Sequence, residues 1–289
     1  MEQLAGKVAV VTGAAGGIGL AMCQRFGQEG MRVVLADLDA TTLEQSTEQL
    51  RGEGIDAIGV PTDVRELAQL EALRDRAVEA FGTVHVLCNN AGIGAGAEGP
   101  IWEHEVIDWK WALDVNLWGV IHGINAFVPL LVAQGEGHVV NTSSNNGGIA
   151  PLPTSPQYAV TKAGVVTLTE CLYAQLQGTG VSASVLFPGP HMMRTRLFES
   201  WKRRPDDVPK TRPRQTPYIT FDEWADLMEQ NGREIVYTPL EEVAARVADG
   251  IKADQFWLLP ESEKFDADIQ GRADSMKART NPTYMGVVL

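Results

Sequence analysis

The chain has 289 residues, of which 44% are hydrophobic and 21% are charged, and this composition excludes a disordered or collagen-like protein. Its net charge of −13 disfavours DNA, RNA and anionic lipid as partners, because each of them would be repelled. No basic stretch followed by an apolar core opens the sequence, so no signal peptide is expected, and no apolar run is expected to reach membrane-spanning length. Three scattered cysteines, all expected to be buried, and five histidines without metal-binding spacing predict a cytoplasmic protein with no protein-bound metal.

Strand-like and helix-like segments alternate from the first residues to Gly189. Short β-branched or apolar runs predict strands at Lys7–Val11, Arg32–Ala36, Ile55–Val60, Val84–Leu87, His138–Asn141 and Val181–Phe187. Helical apolar spacing predicts helices at Gly17–Glu29, Ala40–Arg51, Leu67–Phe81, about Glu105–Ala133 and Pro156–Gly178. Apolar strands separated by helices indicate an α/β fold with a doubly wound, mostly parallel sheet (a Rossmann fold) and helices on both faces.

The alternation stops after Gly189. Residues 190–237 are rich in proline, arginine and large apolar side chains, and so long an excursion is typical of a substrate lid rather than a second domain. A helix at Leu240–Ala253 and a strand at Gln255–Leu259 are predicted next. The tail, 261–289, is expected to carry one amphipathic helix whose apolar face holds Phe265, Ile269 and Met276. The prediction is one domain over residues 1–289.

A glycine-rich turn lies between the first strand and the first helix. It reads TGAAGGIG from Thr12 to Gly19. The diphosphate of a dinucleotide needs backbone N–H groups at a positive helix end, and glycines that let it approach the backbone. This context predicts a dinucleotide site at Gly13, Gly17, Ile18 and Gly19.

Asp37 ends the second predicted strand, where a carboxylate accepts hydrogen bonds from the adenosine ribose. It would also repel the 2′-phosphate of NADP, and no Arg or Lys lies within Gly13–Gly19 to pair with that phosphate. NAD is therefore the expected cofactor. The competing interpretation of Asp37 is a helix N-cap, a role that Asp39 fits better. Asp63 and Val64 follow the third strand and are expected to bracket the adenine, with a helix cap as the alternative for Asp63.

Tyr158 and Lys162 lie four residues apart on one face of a predicted helix. A nearby ammonium stabilises a phenolate and lowers the pKa of tyrosine, so Tyr158 can serve as general base for an alcohol and general acid for a ketone. Ser144 is expected to hold the substrate oxygen beside Tyr158, with Ser143 as the alternative. Asn116 is expected to organise a water chain to Lys162.

These motifs resemble the short-chain dehydrogenase/reductase family in its compact single-domain branch. The matching motifs are TGAAGGIG at Thr12–Gly19, NNAG at Asn89–Gly92, Asn116, NTSS at Asn141–Ser144, YAVTK at Tyr158–Lys162, and Pro188-Gly189. The resemblance implies a catalytic tetrad of Asn116, Ser144, Tyr158 and Lys162. It also implies cofactor contacts from Asn90, Ala91, Gly92, Pro188 and Gly189, with Lys162 holding the nicotinamide ribose. A homo-oligomer, dimer or tetramer, formed through the helices around 105–133 and 156–178, is a further implication.

Two departures from the family pattern lie after Gly189. The family usually has Thr four residues after that glycine, whereas this chain has Met193 there and Thr195 two residues later. His191 takes a place usually held by an aliphatic residue. The nicotinamide contacts after Gly189 are therefore open.

The expected activity is NAD(H)-dependent interconversion of a secondary alcohol and a ketone. Aromatic and sulfur-containing side chains of the lid favour a bulky apolar or aromatic substrate, although they also fit an ordinary hydrophobic lid: Met192, Met193, Phe198, Trp201, Tyr218, Phe221, Trp224, Met228 and Tyr237. Gly119–Leu130 and the NTSS stretch are most similar to bacterial enzymes that oxidise bulky secondary alcohols, such as aryl-ether alcohols from lignin. The alternatives are a ketoacyl-type reductase, which normally prefers NADP, and a catalytically silent NAD-binding protein.

The lid also carries a basic cluster, at Lys202–Arg204, Lys210, Arg212 and Arg214. A site for an anionic substrate is one interpretation, and a solvated, mobile surface is the favoured one.

Overall fold

The structure, a computed structural model, describes residues 1–94, 96, 99–212, 219–282 and 284. Seven parallel strands form one sheet in the spatial order β3-β2-β1-β4-β5-β6-β7. The strands are β1 (Val8–Thr12), β2 (Arg32–Asp37), β3 (Ala57–Pro61), β4 (Val86–Asn89), β5 (Gly137–Thr142), β6 (Val181–Leu186) and β7 (Trp257–Leu258). The strand order reverses between β1 and β4, so the predicted doubly wound fold is confirmed.

Helices cover both faces of this sheet. They are α1 (Gly17–Gln28), α2 (Ala40–Gly52), α3 (Leu67–Phe81), α4 (Val106–Leu113), α5 (Gly119–Gln134), α6 (a single turn, Asn145–Gly148), α7 (Pro156–Gln175), α8 (Phe221–Gln230), α9 (Leu240–Lys252) and α10 (Glu263–Ala278). The predicted helices before the lid end within three residues of the observed ones. The lid helix α8 and the turn α6 were not predicted, because each is shorter than the window that periodicity needs.

Side chains of β1 alternate between the two cores that hold the sheet. Ala9 and Val11 face a cluster that includes Phe26 of α1, and Val8 and Val10 face one that includes Phe127 of α5. All six of these side chains are fully buried. Burying an aromatic side chain of this kind contributes about 1.5–3 kcal/mol, so both faces of the sheet are strongly held.

The long predicted helix is interrupted in the middle. α4 and α5 are joined by a π-helical turn at Asp114–Trp118, so the helical path is continuous from Val106 to Gln134. Contrary to expectation, this 29-residue stretch is long and apolar enough to cross a membrane, by length and composition alone. Its buried residues Phe127 and Leu131 lie in the sheet's core cluster, which is the environment of a core helix.

Two smaller expectations were wrong. Cys171 is exposed on α7, whereas Cys23 and Cys88 are buried. The predicted tail helix is present as α10, but its three apolar residues do not form one buried face: Phe265 is buried, whereas Ile269 is 40% exposed and Met276 is 71% exposed.

The first and last residues of the lid lie side by side. Met192 and Tyr237 form an isolated parallel β-bridge, and the Thr238 N–H donates to the Met192 carbonyl. Arg194–Thr195 lead into a 3₁₀ segment at Arg196–Arg203. Tyr218 and Arg214, two residues of the predicted lid features, lie outside the described residues.

Ion pairs hold the lid against the rest of the protein. The interpretation of the lid's basic cluster as a solvated surface is therefore wrong for Arg204 and Lys210. Arg204 and Lys210 both pair with Asp108 of α4, which is 1% exposed, and the Arg204 guanidinium lies over the Trp111 ring. Arg212 donates to the backbone carbonyl of Glu103. These cations therefore hold the lid against α4 and the segment before it.

Candidate active site

The carboxyl ends of β1, β2, β4 and β5 bring the predicted site residues to one edge of the sheet. Thr12, at the end of β1, accepts the backbone N–H groups of Asn90 and Ala91 through its hydroxyl. The Asn90 side-chain amide donates to the carbonyls of Thr12 and Gly13. The NNAG segment is thus tied directly to the glycine-rich turn, and Thr12 is a contributor that the sequence argument did not single out.

The glycine-rich turn approaches its neighbours too closely for any larger side chain. A Cβ on Gly13 would lie 2.7 Å from the Ala91 Cα, and the Gly13 φ of +67° is in the left-handed region. A Cβ on Gly19 would lie 2.3 Å from the Gly13 carbonyl oxygen. α1 begins next to this turn at Gly17, and its N-cap makes no side-chain hydrogen bond. The turn therefore has no room for side chains and leads directly into a helix N-terminus, which is the form that suits a diphosphate.

Asp37 ends β2 and faces the same turn. Its carboxylate accepts the N–H groups of Ala15 and Asp39 at 3.1 Å each. Asp39, not Asp37, is the N-cap of α2, as predicted: its carboxylate accepts the Thr42 N–H at 3.1 Å. Burial raises the pKa of Asp39, but hydrogen bonds from Thr42 and the ion pair with Arg196 outweigh it and bring the pKa to about 2.

Asp63 pairs with a cation instead of capping a helix. Arg65 contacts both of its carboxylate oxygens and also reaches Asp207 of the lid. The pKa of Arg65 is raised, first by its hydrogen bond with Asp63. Val64 is 8% exposed, and its carbonyl hydrogen-bonds His122. The loop after β3 is therefore fixed to both the lid and α5.

Ser144 lies near the Tyr158 hydroxyl and acts to lower its pKa, whereas Ser143 is buried and donates to the Lys162 carbonyl. The Lys162 Nζ lies 5.6 Å from the centre of the Tyr158 ring and donates to the Thr142 carbonyl at 2.8 Å. Ser144, Tyr158 and Lys162 thus share one site at the start of α7. Thr142, within the NTSS motif, joins them through its backbone.

Asn116 occupies the π-helical turn between α4 and α5 and is fully buried. Its side-chain oxygen accepts the Ile93 N–H at 2.8 Å, and its amide donates to the Ile93 carbonyl and the Thr161 hydroxyl. Both halves of the amide are therefore used by the protein. Gly92 lies between it and the ammonium group: a Cβ there would be 3.4 Å from the Asn116 oxygen and 3.5 Å from the Lys162 Nζ.

The expected lowering of the Tyr158 pKa is wrong for the free chain. Burial raises the pKa of this phenol, and the nearby Ser144 side chain offsets only part of that effect. Burial lowers the pKa of Lys162 from 10.5 to about 8, so its ammonium is still mostly protonated at neutral pH. The spacing of these two groups is visible in the sequence, whereas their burial depends on the tertiary fold.

Thr195, the threonine two residues beyond the family's usual position, lies beside the glycine-rich turn. A Cβ on Gly17 would lie 3.3 Å from the Thr195 Cγ2, so this threonine lies directly over the glycine-rich turn despite its shifted position. Pro188 and Gly189 are held by residues that follow the lid in sequence. Arg246 of α9 donates to the Pro188 carbonyl, and a Cβ on Gly189 would lie 2.5 Å from the Thr238 hydroxyl oxygen. His191 donates its backbone N–H to the same hydroxyl.

The lid aromatics pack mainly on one another. Phe221 contacts Phe198, Trp224 and Tyr237 with ring centres 5.7–6.0 Å apart. Met192 and Leu197 remain 37% and 36% exposed. Ser200 ties the lid to the NNAG side of the site by accepting the Gly94 N–H at 3.0 Å. Within the described residues, no group of three or more His, Cys, Asp or Glu side chains has the geometry of a metal site.

The depressed pKa of Lys162 predicts a pH-dependent stability. Between pH 8 and 10.5 the unfolded chain binds more protons at this residue than the folded one, so the free energy of unfolding rises with pH in that window. Relative to Lys162→Met, the wild type should gain about 3 kcal/mol over this range. Urea unfolding of both proteins at several pH values measures it.

Lys264→Met is the matched control, because the Lys264 side chain is 65% exposed and its ammonium is hydrated in both states. Its stability curve should run parallel to that of the wild type. Parallel curves for Lys162→Met as well would contradict the burial of a charged ammonium at this position.

Comparisons with known proteins agree with this geometry. Residues 7–206 match the family model described as short chain dehydrogenase. A solved short chain dehydrogenase/reductase from Burkholderia phymatum in complex with NAD superimposes with a TM-score of 0.88 at 36% identity, covering 100% of both chains.

Two curated relatives match over shorter spans. A 1-deoxy-11-beta-hydroxypentalenate dehydrogenase of Streptomyces exfoliatus is 36% identical over 63% of this chain and 66% of its own length, just under two thirds. A C alpha-dehydrogenase of Sphingobium sp. is 32% identical over 71% of this chain and 66% of its own. The matched family model, the shared fold and the assembled site together establish that this chain belongs to the short-chain dehydrogenase/reductase family of oxidoreductases.

Proposed function

We propose that this protein is an NAD(H)-dependent oxidoreductase that interconverts a secondary alcohol and a ketone. The observation that carries the proposal is that Ser144 and the Lys162 ammonium both lie beside Tyr158, the ammonium 5.6 Å from the centre of the Tyr158 ring. This arrangement places a proton-exchanging hydroxyl and a second hydroxyl donor close together, on two side chains that are only partly buried. A carbinol or carbonyl oxygen placed between Ser144 and Tyr158 would receive hydrogen bonds from both.

The proton chemistry depends on Tyr158. In alcohol oxidation the Tyr158 oxygen takes the substrate hydroxyl proton, and in ketone reduction it returns that proton to the forming alcohol. A bound nicotinamide supplies the hydride acceptor or donor and, when oxidised, a positive charge that favours the phenolate. Because burial raises the pKa of Tyr158 in the free chain, we infer that proton exchange at neutral pH needs the Lys162 ammonium together with the bound cofactor.

Residues at the carboxyl ends of the strands would hold the dinucleotide. Gly13, Gly17, Ile18 and Gly19 would hold the diphosphate; Asp37 the adenosine ribose; and Asp63 and Val64 the adenine. Asn90, Ala91, Gly92, Pro188 and Gly189 would line the nicotinamide side, where Lys162 would hold its ribose. The NAD complex of the Burkholderia relative supports this choice of cofactor.

The proposed substrate is a bulky apolar or aromatic secondary alcohol. Met192 and Leu197 on the lid are exposed, and they could provide an apolar wall for the substrate site. The names of the Streptomyces and Sphingobium relatives are those of dehydrogenases, which supports an alcohol as the substrate. The Phe198–Phe221–Trp224 cluster serves the lid's own packing, so it contributes to the shape of this wall indirectly.

Tyr158→Phe tests the mechanism. It should lower kcat by at least about 100-fold, because it removes the exchangeable proton, while leaving the Kd of NADH within about twofold. Turnover of aryl and alicyclic secondary alcohols with NAD⁺, followed by NADH fluorescence, measures the first effect, and NADH titration measures the second. Tyr173→Phe on the same helix is the control. Near-normal turnover by Tyr158→Phe would refute the assigned role.

Asp37→Ser tests the cofactor. It should weaken NAD binding several-fold, because a ribose hydrogen-bond acceptor and a charge are lost, and should raise the relative kcat/KM for NADP. Steady-state kinetics with both cofactors measures the ratio, and Asp56→Ser, at an exposed position, is the control. An unchanged ratio would show that Asp37 takes no part in cofactor choice.

We further propose a cytoplasmic homo-oligomer, a dimer or tetramer, built through α4, α5 and α7. Large apolar side chains are exposed on α4, on the π-helical turn that joins it to α5, and on α7: Val106 at 83%, Trp118 at 50% and Val160 at 50%. Light scattering is expected to give a mass of two or four chains, and a monomeric mass at micromolar concentration would contradict the proposal.

A further inference from the structure

The tail helix α10 packs against the serine loop, residues 144–150, which begins with Ser144 and contains the turn α6. Phe265 of α10 is 1% exposed and shares an apolar cluster with Ile149, Ala150 and Phe187. Ile149 and Ala150 are the last two residues of the serine loop, and Phe187 directly follows β6. The tail helix is therefore part of the packing that surrounds the active-site serine.

Two polar contacts join α10 to the serine loop, and both elements lie wholly within the described residues. The Arg272 Nη1 donates to the Ile149 carbonyl at 2.7 Å, across 123 residues of sequence. The Asn145 side-chain amide donates to the Asp268 carboxylate at 3.5 Å, where Lys264 already pairs with the same oxygen at 2.8 Å. The first contact is shorter and has a charged donor, so Arg272 is the main polar link.

Hydrogen bonds within the serine loop connect Ile149 to Ser144. The Ile149 N–H donates to the Asn145 carbonyl at 3.1 Å, and the Gly148 N–H donates to the Ser144 carbonyl at the same distance. The Ser144 hydroxyl accepts the Asn146 N–H at 3.2 Å. Ile149 is thus held by α10 through its carbonyl and by the residue after Ser144 through its N–H. A displacement of Ile149 would therefore move Ser144.

The serine loop depends on support from outside because its backbone is irregular. Asn146 and Gly147 have non-helical dihedral angles, which interrupt α6 after its first residue. On one side α7 supports the loop: a Cβ on Gly147 would lie 2.0 Å from the Ala159 carbonyl oxygen, and the Asn146 amide donates to the Ser155 hydroxyl at 2.7 Å. Through Phe265, α10 supplies a second support.

We propose that Arg272 is a positioning residue for the reaction: by binding the Ile149 carbonyl, it holds Ser144 where Ser144 and Tyr158 can share one substrate oxygen. This inference rests on the proposed function, which gives Ser144 and Tyr158 that task. Arg272 acts through the serine loop and touches neither substrate nor cofactor. A small misplacement of a group beside the reacting atoms slows the chemical step, whereas the distant dinucleotide contacts stay intact.

Turnover of a secondary alcohol with NAD⁺ tests the role of Arg272. Arg272→Met should lower kcat about tenfold, while the KM for NAD⁺ and the Kd of NADH stay within about twofold of the wild type. Arg272→Lys should recover kcat to within about threefold, because an ammonium group can also donate to the Ile149 carbonyl. Lys277→Met is the control, since it removes a cation from an exposed position on the same helix, and its kcat should be unchanged.

A double-mutant cycle with Ser144→Ala separates positioning from a general loss of structure. If Arg272 acts through Ser144, adding Arg272→Met to Ser144→Ala should lower kcat by less than about a further twofold. Arg272→Gln keeps a neutral donor and takes the place of the methionine variant in this cycle if the latter does not fold. Independent losses that multiply in the double variant would overturn the inference, as would an unchanged kcat in the single variant.

Hydrogen exchange of the free protein gives a readout that needs no turnover. Arg272→Met should speed exchange of the Gly148 and Ile149 amides at least about fivefold and leave the amides of β1 unchanged, because only the serine loop loses a support. Unchanged exchange at both amides would overturn the inference and leave the proposed function standing. Absence of turnover by the wild type with aryl and alicyclic alcohols would contradict the proposed function instead, so the two failures are distinguishable.

Discussion

The site is organised around the buried ammonium group of Lys162. A buried cation is tolerated only where oxygen atoms face it, and the Thr142 carbonyl at the end of β5 does so at 2.8 Å. The same constraint explains Gly92, since a side chain there would crowd the space between the Lys162 Nζ and Asn116. The lowered pKa of Lys162 is the physical cost of this position. Because that pKa remains above neutrality, the group can still supply a positive charge to Tyr158.

The π-helical turn is the second requirement. It carries Asn116 at full burial against the chain that leaves β4, where one side-chain amide satisfies both the N–H and the carbonyl of Ile93. Irregular backbone next to a buried charge is expensive unless its polar groups are paired. The π-helical turn and the residue that follows the NNAG segment therefore stabilise one another, and through Thr161 the same amide is tied to the helix that carries Tyr158 and Lys162.

The sequence predicts most of the sheet and the positions of the site motifs, because both depend on short-range patterns. Parallel strands are buried on both faces and therefore appear in the sequence as apolar runs. Where two backbone segments approach each other closely, glycines are required, and they form a recognisable motif such as the glycine-rich turn at Thr12–Gly19. The lid could not be predicted in the same way: Asp108 meets Arg204 across 96 residues, and Asp39 meets Arg196 across 157, with no period to connect them. The same distinction applies to the catalytic pair. That Tyr158 and Lys162 share one helix face follows from their spacing of four residues. The direction of the Tyr158 pKa shift was predicted wrongly, because it depends on burial by residues far away in the sequence.

The two ends of the lid are held with different strength. The Asp108–Arg204 pair is 1% and 9% exposed, and breaking a buried pair by removing one partner costs about 3–5 kcal/mol. The Asp39–Arg196 pair is 24% and 44% exposed, and pairs of that kind contribute about 0–1 kcal/mol. Of these two ion pairs, the one next to the glycine-rich turn therefore contributes less to holding the lid than the one on α4. The exposure of each pair, and not its length, decides this difference, because water screens the charges of the first pair and is excluded from the second.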